Sequence, residues 1–377
     1  MKLTEEQRLL RDTAREFARN ELAPNAAEWD REARFPKEAL AALGKLGFMG
    51  MLVPPEHCGA GADHVGYALV MEEIAAGDGA TSTILSVNSL CCGAVLQYGS
   101  AEQKQRFLKP MAEGEMLAAF CLTEPQAGSD AAAIKTRAVR HGNRWVLNGS
   151  KQFITSGSTA QVAIVFAVTD PEAGRRGISA FIVPTETRGY SVARLEKKLG
   201  QRASDTAQLV FEDAELTPDL LLGQEGEGYR IALSNLEGGR IGIAAQAVGM
   251  ARAAYEAALA YAKERESFGQ KLIEHQAVAF RLADMATQLA AAHGLVIEAA
   301  ARRDAGEPAL QAAAMAKLFA SEMAEKVASD AIQIHGGYGY VEGFPVERIW
   351  RDVRVCQIYE GASDIQRLLI AREIARG

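Results

Sequence analysis

The chain lacks the patterns that mark several classes of protein. Only five of its 377 residues are cysteines. None forms a C-x-x-C pair, so we expect neither a disulfide framework nor a zinc knuckle. Acidic residues outnumber basic ones, 48 to 41, and this balance disfavours nucleic acid as a partner. No apolar run comes near the roughly 18 residues of a membrane span. The polar start Met1–Gln7 does not resemble a signal or transit peptide, so we expect a cytoplasmic protein.

Several nucleotide-binding and hydrolytic motifs are also missing. No G-x-G-x-x-G follows a predicted strand, and there is no Walker A loop, H-E-x-x-H or G-x-S-x-G. A Rossmann site is therefore not expected. His275 and His335 are isolated, which favours packing or a supporting role over metal ligation, and we predict no metal site.

The pattern of helix and strand signals divides the chain into three parts. Residues 1–116 are predicted to be helical, with capping boxes at Thr4–Gln7 and Ser100–Gln103 and a stop at Pro24. Residues 117–230 contain short β-rich runs and no long helical pattern, which predicts an antiparallel β domain. Two hairpin turns are predicted within this domain, one at Gly142-Asn143 and one at Asn148-Gly149.

Residues 231–377 are predicted to form a helical bundle. Apolar residues recur there at alternating spacings of three and four, typical of closely packed antiparallel helices. The fold class is therefore α+β, multidomain and mostly α. The three stripes are Ile241, Ala244, Val248, Ala251, Tyr255, Ala258 and Ala262; Val278, Leu282, Met285, Leu289, Ala292, Val296 and Ala299; and Met315, Phe319, Met323, Val327 and Ile334.

Two segments of the β domain contain side chains suited to a polar, planar ligand. The loop Phe120–Asp130 contains Thr123 and Ser129, and Gly128 permits close approach of a ligand to the backbone. In the next segment, Phe153 and Thr155 share one strand face, which suits stacking plus a hydrogen bond. Taken singly, each segment favours the simpler interpretation of an ordinary turn or sheet face.

Three further segments lie in the predicted bundle. Arg265 lies at the end of the first helix, where it can interact with the helix dipole or bind a phosphate. The glycines that follow Gln333 can cap a helix or allow a ligand to approach the backbone. Glu360 lies at a helix junction, where Gly361 ends one helix and a Ser363–Gln366 capping box starts the next. A carboxylate facing a pocket there would have a raised pKa and could act as a base, although most such glutamates are simply solvated.

Taken together, these segments resemble the acyl-CoA dehydrogenase family over essentially the whole chain. Leu122-Thr123-Glu124-Pro125 with Ala127-Gly128-Ser129-Asp130 resembles one family motif. Gln333, Gly336-Gly337 and Gly339, followed by Tyr359-Glu360-Gly361, resemble the other. The resemblance implies an N-terminal helical domain, a central β domain and a C-terminal four-helix bundle, assembled as a homotetramer that binds FAD without a Rossmann motif.

The resemblance also assigns roles to individual residues. Those expected around the isoalloxazine and pyrophosphate of FAD are Phe120, Leu122, Thr123, Gly128, Ser129, Phe153, Ile154 and Thr155. Those expected to reach the FAD of a neighbouring subunit are Arg265, Phe268, Gln276, Gln333, Gly336 and Gly337, with Ala362, Ser363 and Asp364 closing the site. Those expected along the acyl-CoA path are Ser129, Glu237, Arg240, Tyr359 and Gly361.

Glu360 matches the usual catalytic base of the family. Some members place that carboxylate just before the residue matching Arg240, but here that position is Gly239. Two positions depart from the common pattern: Ala362 replaces Thr, and Phe153 replaces Trp. The expected reaction is removal of the α-proton by Glu360 and of the β-hydrogen as hydride by flavin N5. It gives a trans-2-enoyl-CoA, with electrons passed to an electron-transfer flavoprotein.

The resemblance leaves the substrate and some alternatives open. The motifs are most similar to short-chain and short/branched-chain members, and Ser82–Gln97 with residues near Leu236 is expected to line the tail pocket. The competing interpretations are an oxygen-reactive oxidase or monooxygenase on the same scaffold, and a non-catalytic acyl-CoA-binding protein.

Overall fold

The N-terminal part of the chain is helical, as predicted. The computed structural model describes residues 2–376, with helices α1 (Glu5–Phe17), α2 (Ala26–Glu32), α3 (Lys37–Lys45), α4 (His64–Gly77), α5 (Gly79–Tyr98), α6 (Ala101–Gln103) and α7 (Lys109–Glu113). Both predicted capping boxes form, because each cap hydroxyl accepts from the backbone N–H three residues on and the Gln side chain accepts from the cap backbone in return. A π-helical turn, Ala18–Leu22, continues α1 and ends before Pro24.

An eight-stranded sheet follows these helices. Its strands are β1 (Ala118–Cys121), β2 (Arg137–His141), β3 (Arg144–Thr155), β4 (Val162–Val168), β5 (Ile178–Pro184), β6 (Tyr190–Leu195), β7 (Thr206–Leu216) and β8 (Leu221–Leu222). The spatial order is β6-β7-β3-β2-β4-β5-β8, and β1 lies beside β4. Most pairs are antiparallel, as predicted, but β1 pairs with β4 in parallel, and so does β2 at a single register position.

The prediction of a hairpin turn is wrong at one of the two positions. Gly142-Asn143 does connect β2 to β3, but Asn148-Gly149 lies within β3, at a shift in its register with β7. Gly149 has φ +147°, and a Cβ there would lie 2.6 Å from Thr136 Oγ1. The glycine therefore permits a bulge and a close strand approach rather than a turn.

The C-terminal part is the predicted helical bundle. Its helices are α8 (Gly228–Glu264), α9 (Gln276–Asp304), α10 (Leu310–His335), α11 (Pro345–Val353) and α12 (Ser363–Arg376), with a short hairpin of β9 (Glu266–Ser267) and β10 (Gln270–Lys271) after α8. The stripes predicted for α8 and α9 are largely buried. On α10 the prediction was partly wrong, since Met315 and Phe319 are 36% and 39% exposed and the buried face consists mainly of alanines.

Helix α5 connects the two hydrophobic cores. Ile84 and Leu85 belong to the core shared by the N-terminal helices and the bundle, whereas Cys92 and Val95 belong to the core beneath the sheet. The expectation that no apolar run reaches membrane-spanning length was wrong for this helix, which has 20 residues and a mean hydropathy of 1.4 over its most apolar window. Because 78% of that window is buried within the protein, α5 is a core helix.

Candidate active site

Glu360 lies in a strained turn between the bundle helices. Glu360 has φ +53° and Gly361 has φ +89°, so two successive residues are left-handed. This conformation costs a non-glycine residue about 1–2 kcal/mol, and surrounding contacts must therefore hold it. Lys317 Nζ donates to the Gly361 carbonyl at 2.7 Å, and Gln366 Nε2 donates to the Gly361 and Glu360 carbonyls at 2.8 and 3.2 Å.

The predicted Ser363–Gln366 capping box does not form. Helix α12 begins at Ser363, one residue earlier than a Ser363 cap requires, and the Ala362 carbonyl accepts the first backbone hydrogen bonds. The Gln366 amide is turned back to the 360–361 turn instead. Gln366 therefore stabilises the turn that carries Glu360, which the sequence pattern did not indicate.

The carboxylate of Glu360 is directed into the protein. Its Oε2 atom is buried and has no hydrogen-bond partner within residues 2–376. Burial raises the pKa of Glu360 to about 7, although the positive charges of Arg240 and Lys317 act to lower it. The group is thus poised to exchange a proton near neutral pH.

Helix α8 supplies the wall next to this carboxylate. A Cβ at Gly239 would lie 2.8 Å from Glu360 Oε2 and 3.6 Å from Leu90 Cδ1. Arg240 is buried, and its Nε has no hydrogen-bond partner within residues 2–376. Burial lowers the pKa of Arg240, and the negative charges of Glu360 and Glu237 oppose this shift. The structure therefore brings Gly239 and Arg240 next to Glu360, while Glu237 acts on Arg240 and pairs with Arg303 at 3.5 Å.

Tyr359 contributes a buried hydroxyl beneath the same turn. The hydroxyl donates to Gln246 Oε1 and lies 3.4 Å from both Thr83 Oγ1 and Gln201 Nε2. Burial raises the pKa of Tyr359 well above its ordinary value. These partners occupy the hydroxyl, so any contact with a substrate must come from other atoms of Tyr359.

A buried ion pair joins the two flavin segments expected in the β domain. Lys151 Nζ lies 2.8 Å from Glu124 Oε1, with the two side chains 0% and 2% exposed. Glu124 also accepts from the backbone N–H groups of Lys135 and Thr136. Burial acts to raise the pKa of Glu124, but Lys151 and these donors hold it at about 2. The pair was not identified from the sequence, and its only signal was a charged residue among the apolar positions of β3.

This ion pair places the loop after β1 against the end of β3. Lys151 Nζ donates to the Leu122 carbonyl at 3.1 Å, and Gln152 N donates to the Thr123 carbonyl at 2.9 Å. The 120–129 and 151–155 segments are therefore adjacent, as the flavin assignment requires. Among the other residues assigned to flavin here, Phe120 and Thr155 are half-buried, Ile154 is buried, and Gly128 and Ser129 are exposed.

Phe153 presents its ring to the surface of this region. It has φ +58° and is 63% exposed, at a register shift between β3 and β7. A large aromatic ring held outward by a strained backbone is typical of a ligand-contacting position.

The remaining residues expected to contact flavin lie at or near the ends of the bundle helices. Arg265, Gly336 and Gly337 line one cavity of about 480 Å³ together with Tyr261 and Tyr338. The other three are exposed at nearby points of the chain: Phe268, which is 99% exposed, Gln276 and Gln333. No hydrogen bond or ion pair within residues 2–376 joins this cavity to Glu360.

The start of α12 has one side chain without a partner. Ser363 Oγ is buried and has no hydrogen-bond partner in the described part of the chain, whereas the Asp364 side chain is 96% exposed and lies 3.3 Å from Arg367. The orphaned Ser363 hydroxyl, the outward ring of Phe153 and the open backbone at Gly336-Gly337 fit a polar, planar dinucleotide such as FAD.

Comparison with known proteins agrees with this geometry. The family models for the N-terminal, middle and C-terminal domains of acyl-CoA dehydrogenase match residues 4–115, 119–214 and 226–375. The short-chain specific acyl-CoA dehydrogenase of Clostridium acetobutylicum is 46% identical over 375 residues, covering 99% of each chain. The butyryl-CoA dehydrogenase of Megasphaera elsdenii superposes over all of both chains with a TM-score of 0.98 and 41% identity. A chain solved in work on the electron transferring flavoprotein of Acidaminococcus fermentans superposes with a TM-score of 0.98 and is 45% identical, also over all of both chains. The chain therefore belongs to the acyl-CoA dehydrogenase family, FAD-containing oxidoreductases that act on CH–CH bonds.

Proposed function

We propose that this protein oxidises a short-chain acyl-CoA to the trans-2-enoyl-CoA, with Glu360 as the base that removes the α-proton. The observation that supports this most strongly is the buried, unpartnered Oε2 of Glu360 in a left-handed turn, with a pKa raised to about 7. A carboxylate with an ordinary pKa would be too weak a base for the α-proton of a thioester, and burial strengthens it.

The chain's own groups divide the work around the thioester. The backbone N–H of Glu360 has no hydrogen-bond partner within residues 2–376, so it is free to donate to the thioester oxygen as negative charge develops there. The carboxylate of the same residue takes the proton, and the close approach of Gly239 and the buried Arg240 exclude water. FAD, when bound, supplies the acceptor for the β-hydrogen and its electron pair.

The side chains behind Glu360 favour a short acyl group. Leu90 lies beside Gly239, and the hydroxyl of Tyr67 and Oγ of Ser86 lie against Gly242, one turn further along α8. All three come from α4 and α5, the latter containing the segment expected to line the tail pocket. The relatives named for short-chain substrates and for butyryl-CoA support the same assignment.

We further propose an electron-transfer flavoprotein as the electron acceptor and a homotetramer as the assembly. The likeness to a chain solved in work on an electron transferring flavoprotein supports the first. The second is supported by the family resemblance, which places Arg265, Gly336 and Gly337, the residues that line this cavity, against the FAD of a neighbouring subunit. A cavity placed in this way suits the FAD of a neighbouring subunit.

Anaerobic reduction of the flavin by a panel of acyl-CoA thioesters tests this proposal. Butyryl- and isobutyryl-CoA are expected to bleach the flavin faster than octanoyl- and palmitoyl-CoA, with a trans-2-enoyl-CoA as product. The reduced enzyme is then exposed to oxygen or to electron-transfer flavoprotein. Faster reoxidation by oxygen identifies an oxidase instead, and no bleaching by any thioester contradicts the proposal.

A further inference from the structure

Lys317 is a fully buried cation that the proposed reaction does not use. Its side chain is 0% exposed, on the face of α10 that contains the buried Ala313, Ala316 and Ala320. No carboxylate within residues 2–376 lies within ion-pair distance of its ammonium group. Burying an unpaired charge opposes folding, so a lysine at this position calls for a reason other than stability.

The only hydrogen bond of the Lys317 side chain within residues 2–376 points to such a reason. Nζ donates at 2.7 Å to the carbonyl of Gly361, the residue directly after Glu360. That carbonyl belongs to the left-handed turn, and Gln366 is the other side chain that donates to it. Lys317 thus fixes the backbone from which the Glu360 side chain extends.

Charged and titratable groups face Lys317 from each neighbouring element. They are Glu360 in the turn, Cys356 in the preceding 3-10 turn, Arg240 on α8 and Glu322 on α10 itself. Burial raises the pKa of Cys356 to about 11, so it remains a neutral thiol near neutral pH. Glu322 lies 2.6 Å from Arg367 at the surface. Glu360 is therefore the buried carboxylate on which the charge of Lys317 acts.

We propose that Lys317 is a positioning residue that holds the Glu360–Gly361 turn in its left-handed conformation and, through its positive charge, keeps the Glu360 carboxylate ionised. This inference rests on the proposed role of Glu360 as the base. Lys317 touches neither the substrate nor the reacting atoms in this scheme. Its effect is transmitted through the Gly361 carbonyl and through the electric field at the carboxylate.

The ionisation of the two groups gives the proposal a specific pH dependence. Burial lowers the pKa of Lys317 to about 8, with Cys356 and Glu360 opposing the shift. The pKa of Glu360 is about 7. The rate should therefore rise as Glu360 loses its proton and fall as Lys317 loses its own, in two coupled steps that belong to the pair.

The test uses the FAD-containing enzyme and two substitutions at this position. Lys317→Met fills the space without charge or donor, and Lys317→Gln keeps a donor without the charge. Lys326→Met is the matched control, because Lys326 lies on the same helix, is 58% exposed and pairs with Asp330 at the surface. Anaerobic flavin reduction by butyryl-CoA is measured from about pH 6 to about pH 9, together with FAD content and the thermal unfolding midpoint.

We expect Lys317→Met to move the acidic limb of the profile up by about one pH unit, the effect of removing one nearby opposite charge. The alkaline step should disappear, while FAD content stays the same and the unfolding midpoint does not fall. Lys317→Gln should also shift the acidic limb, with a smaller loss of rate at the plateau because it keeps an N–H donor on the side facing Gly361. Lys326→Met should match the wild type in every readout.

Two results would overturn the proposal. One is a wild-type pH profile in a Lys317 variant that retains FAD, and the other is loss of FAD from both variants, which would make Lys317 a purely structural residue. Glu360→Gln separates this outcome from failure of the proposed function. If that variant is inactive while the Lys317 variants keep the wild-type profile, only the Lys317 inference fails. If it is fully active, the base assignment itself fails.

Discussion

Gly239 lies directly against the carboxylate of Glu360, so close that a Cβ at position 239 would be 2.8 Å from Oε2. No ordinary Cβ contact is that short, and the carboxylate would have to move to accommodate one. The two residues come from different elements, α8 and the turn before α12, and are separated by more than a hundred positions in the chain. The absence of a side chain at 239 is thus a requirement for the position of the acidic group at 360.

Gly239→Ala should therefore lower the activity without lowering the stability of the fold. Alanine in a helix interior is worth about 1 kcal/mol over glycine, so the unfolding midpoint should hold or rise. Displacement of the carboxylate should slow flavin reduction on the order of 10²-fold. Gly238→Ala is the control, because its Cβ would meet only Arg303 atoms at 3.5 Å or more. Equal rates in the two variants would show that the carboxylate tolerates a methyl group beside it.

Breaking the Lys151–Glu124 pair should loosen the 120–129 and 151–155 segments, which we propose contact flavin. Lys151→Met leaves Glu124 as an uncompensated buried charge, a change that typically costs about 3–5 kcal/mol. We expect weaker FAD retention together with a lower unfolding midpoint, measured by flavin release and by thermal denaturation. Lys135→Met removes an exposed lysine near the same carboxylate and should change neither.

The same pair predicts how acid affects this region. The pKa of Glu124 is held at about 2, below its ordinary 4.5. The stabilisation is therefore complete above pH 4.5 and is lost as the pH falls towards 2. FAD release on acidification should follow that range in the wild type and begin at higher pH in Lys151→Met.

Tyr359→Phe should lower the free energy of unfolding, because it removes a buried hydrogen bond beneath the 360–361 turn. Gln246 Oε1 accepts from the Tyr359 hydroxyl, and the only other donor to this atom within residues 2–376 is the weak donor Cys356 Sγ at 4.0 Å. Leaving such a buried acceptor without a partner costs about 1–3 kcal/mol, to be measured by denaturant unfolding. Tyr340→Phe provides the comparison, since Tyr340 is 87% exposed and should lose almost nothing. Equal losses in both variants would mean that the buried hydroxyl adds no stability.

Glu360 itself should reduce the stability of the fold above neutral pH. Because folding raises its pKa from 4.5 to about 7, the ionised form is disfavoured in the native state. The penalty is absent below pH 4.5 and reaches at most about 3 kcal/mol above pH 7. Glu360→Gln should therefore unfold at a higher denaturant concentration at pH 8, and at the wild-type concentration at pH 4. A lower unfolding midpoint at pH 8 would contradict the raised pKa.

The sequence predicted the order of helices, sheet and bundle because each rests on local patterns. Capping boxes and 3–4 spacing are set by neighbouring residues, and Thr4, Ser100 and the stripe on α8 behave accordingly. The α10 stripe failed at Met315 and Phe319, where alanines rather than the larger residues are buried. A periodic pattern of large apolar residues identifies the buried face of a helix only when those large residues are the ones that are buried.

The candidate site was predictable only where a motif is contiguous in the chain. Glu360 and the 120–129 loop could be proposed as site residues in this way. The residues that support them could not, because they depend on contacts between distant elements. Lys317 reaches Gly361 across 44 positions, and Lys151 reaches Glu124 across 27. The one available signal was a lysine within a stripe of alanines or a hydrophobic strand, and it does not identify the partner. The left-handed backbone at Glu360 had no sequence signal, since it is imposed by those contacts.

Single-turnover flavin reduction by butyryl-CoA in the wild type and in Glu360→Gln tests the central claim most directly. Glu322→Gln serves as the control, because Glu322 is a surface carboxylate paired with Arg367. The account predicts that Glu360→Gln retains FAD and binds the thioester but is reduced about 10²–10⁴-fold more slowly, the usual contribution of a general base, while Glu322→Gln matches the wild type. Reduction of Glu360→Gln at the wild-type rate would contradict it.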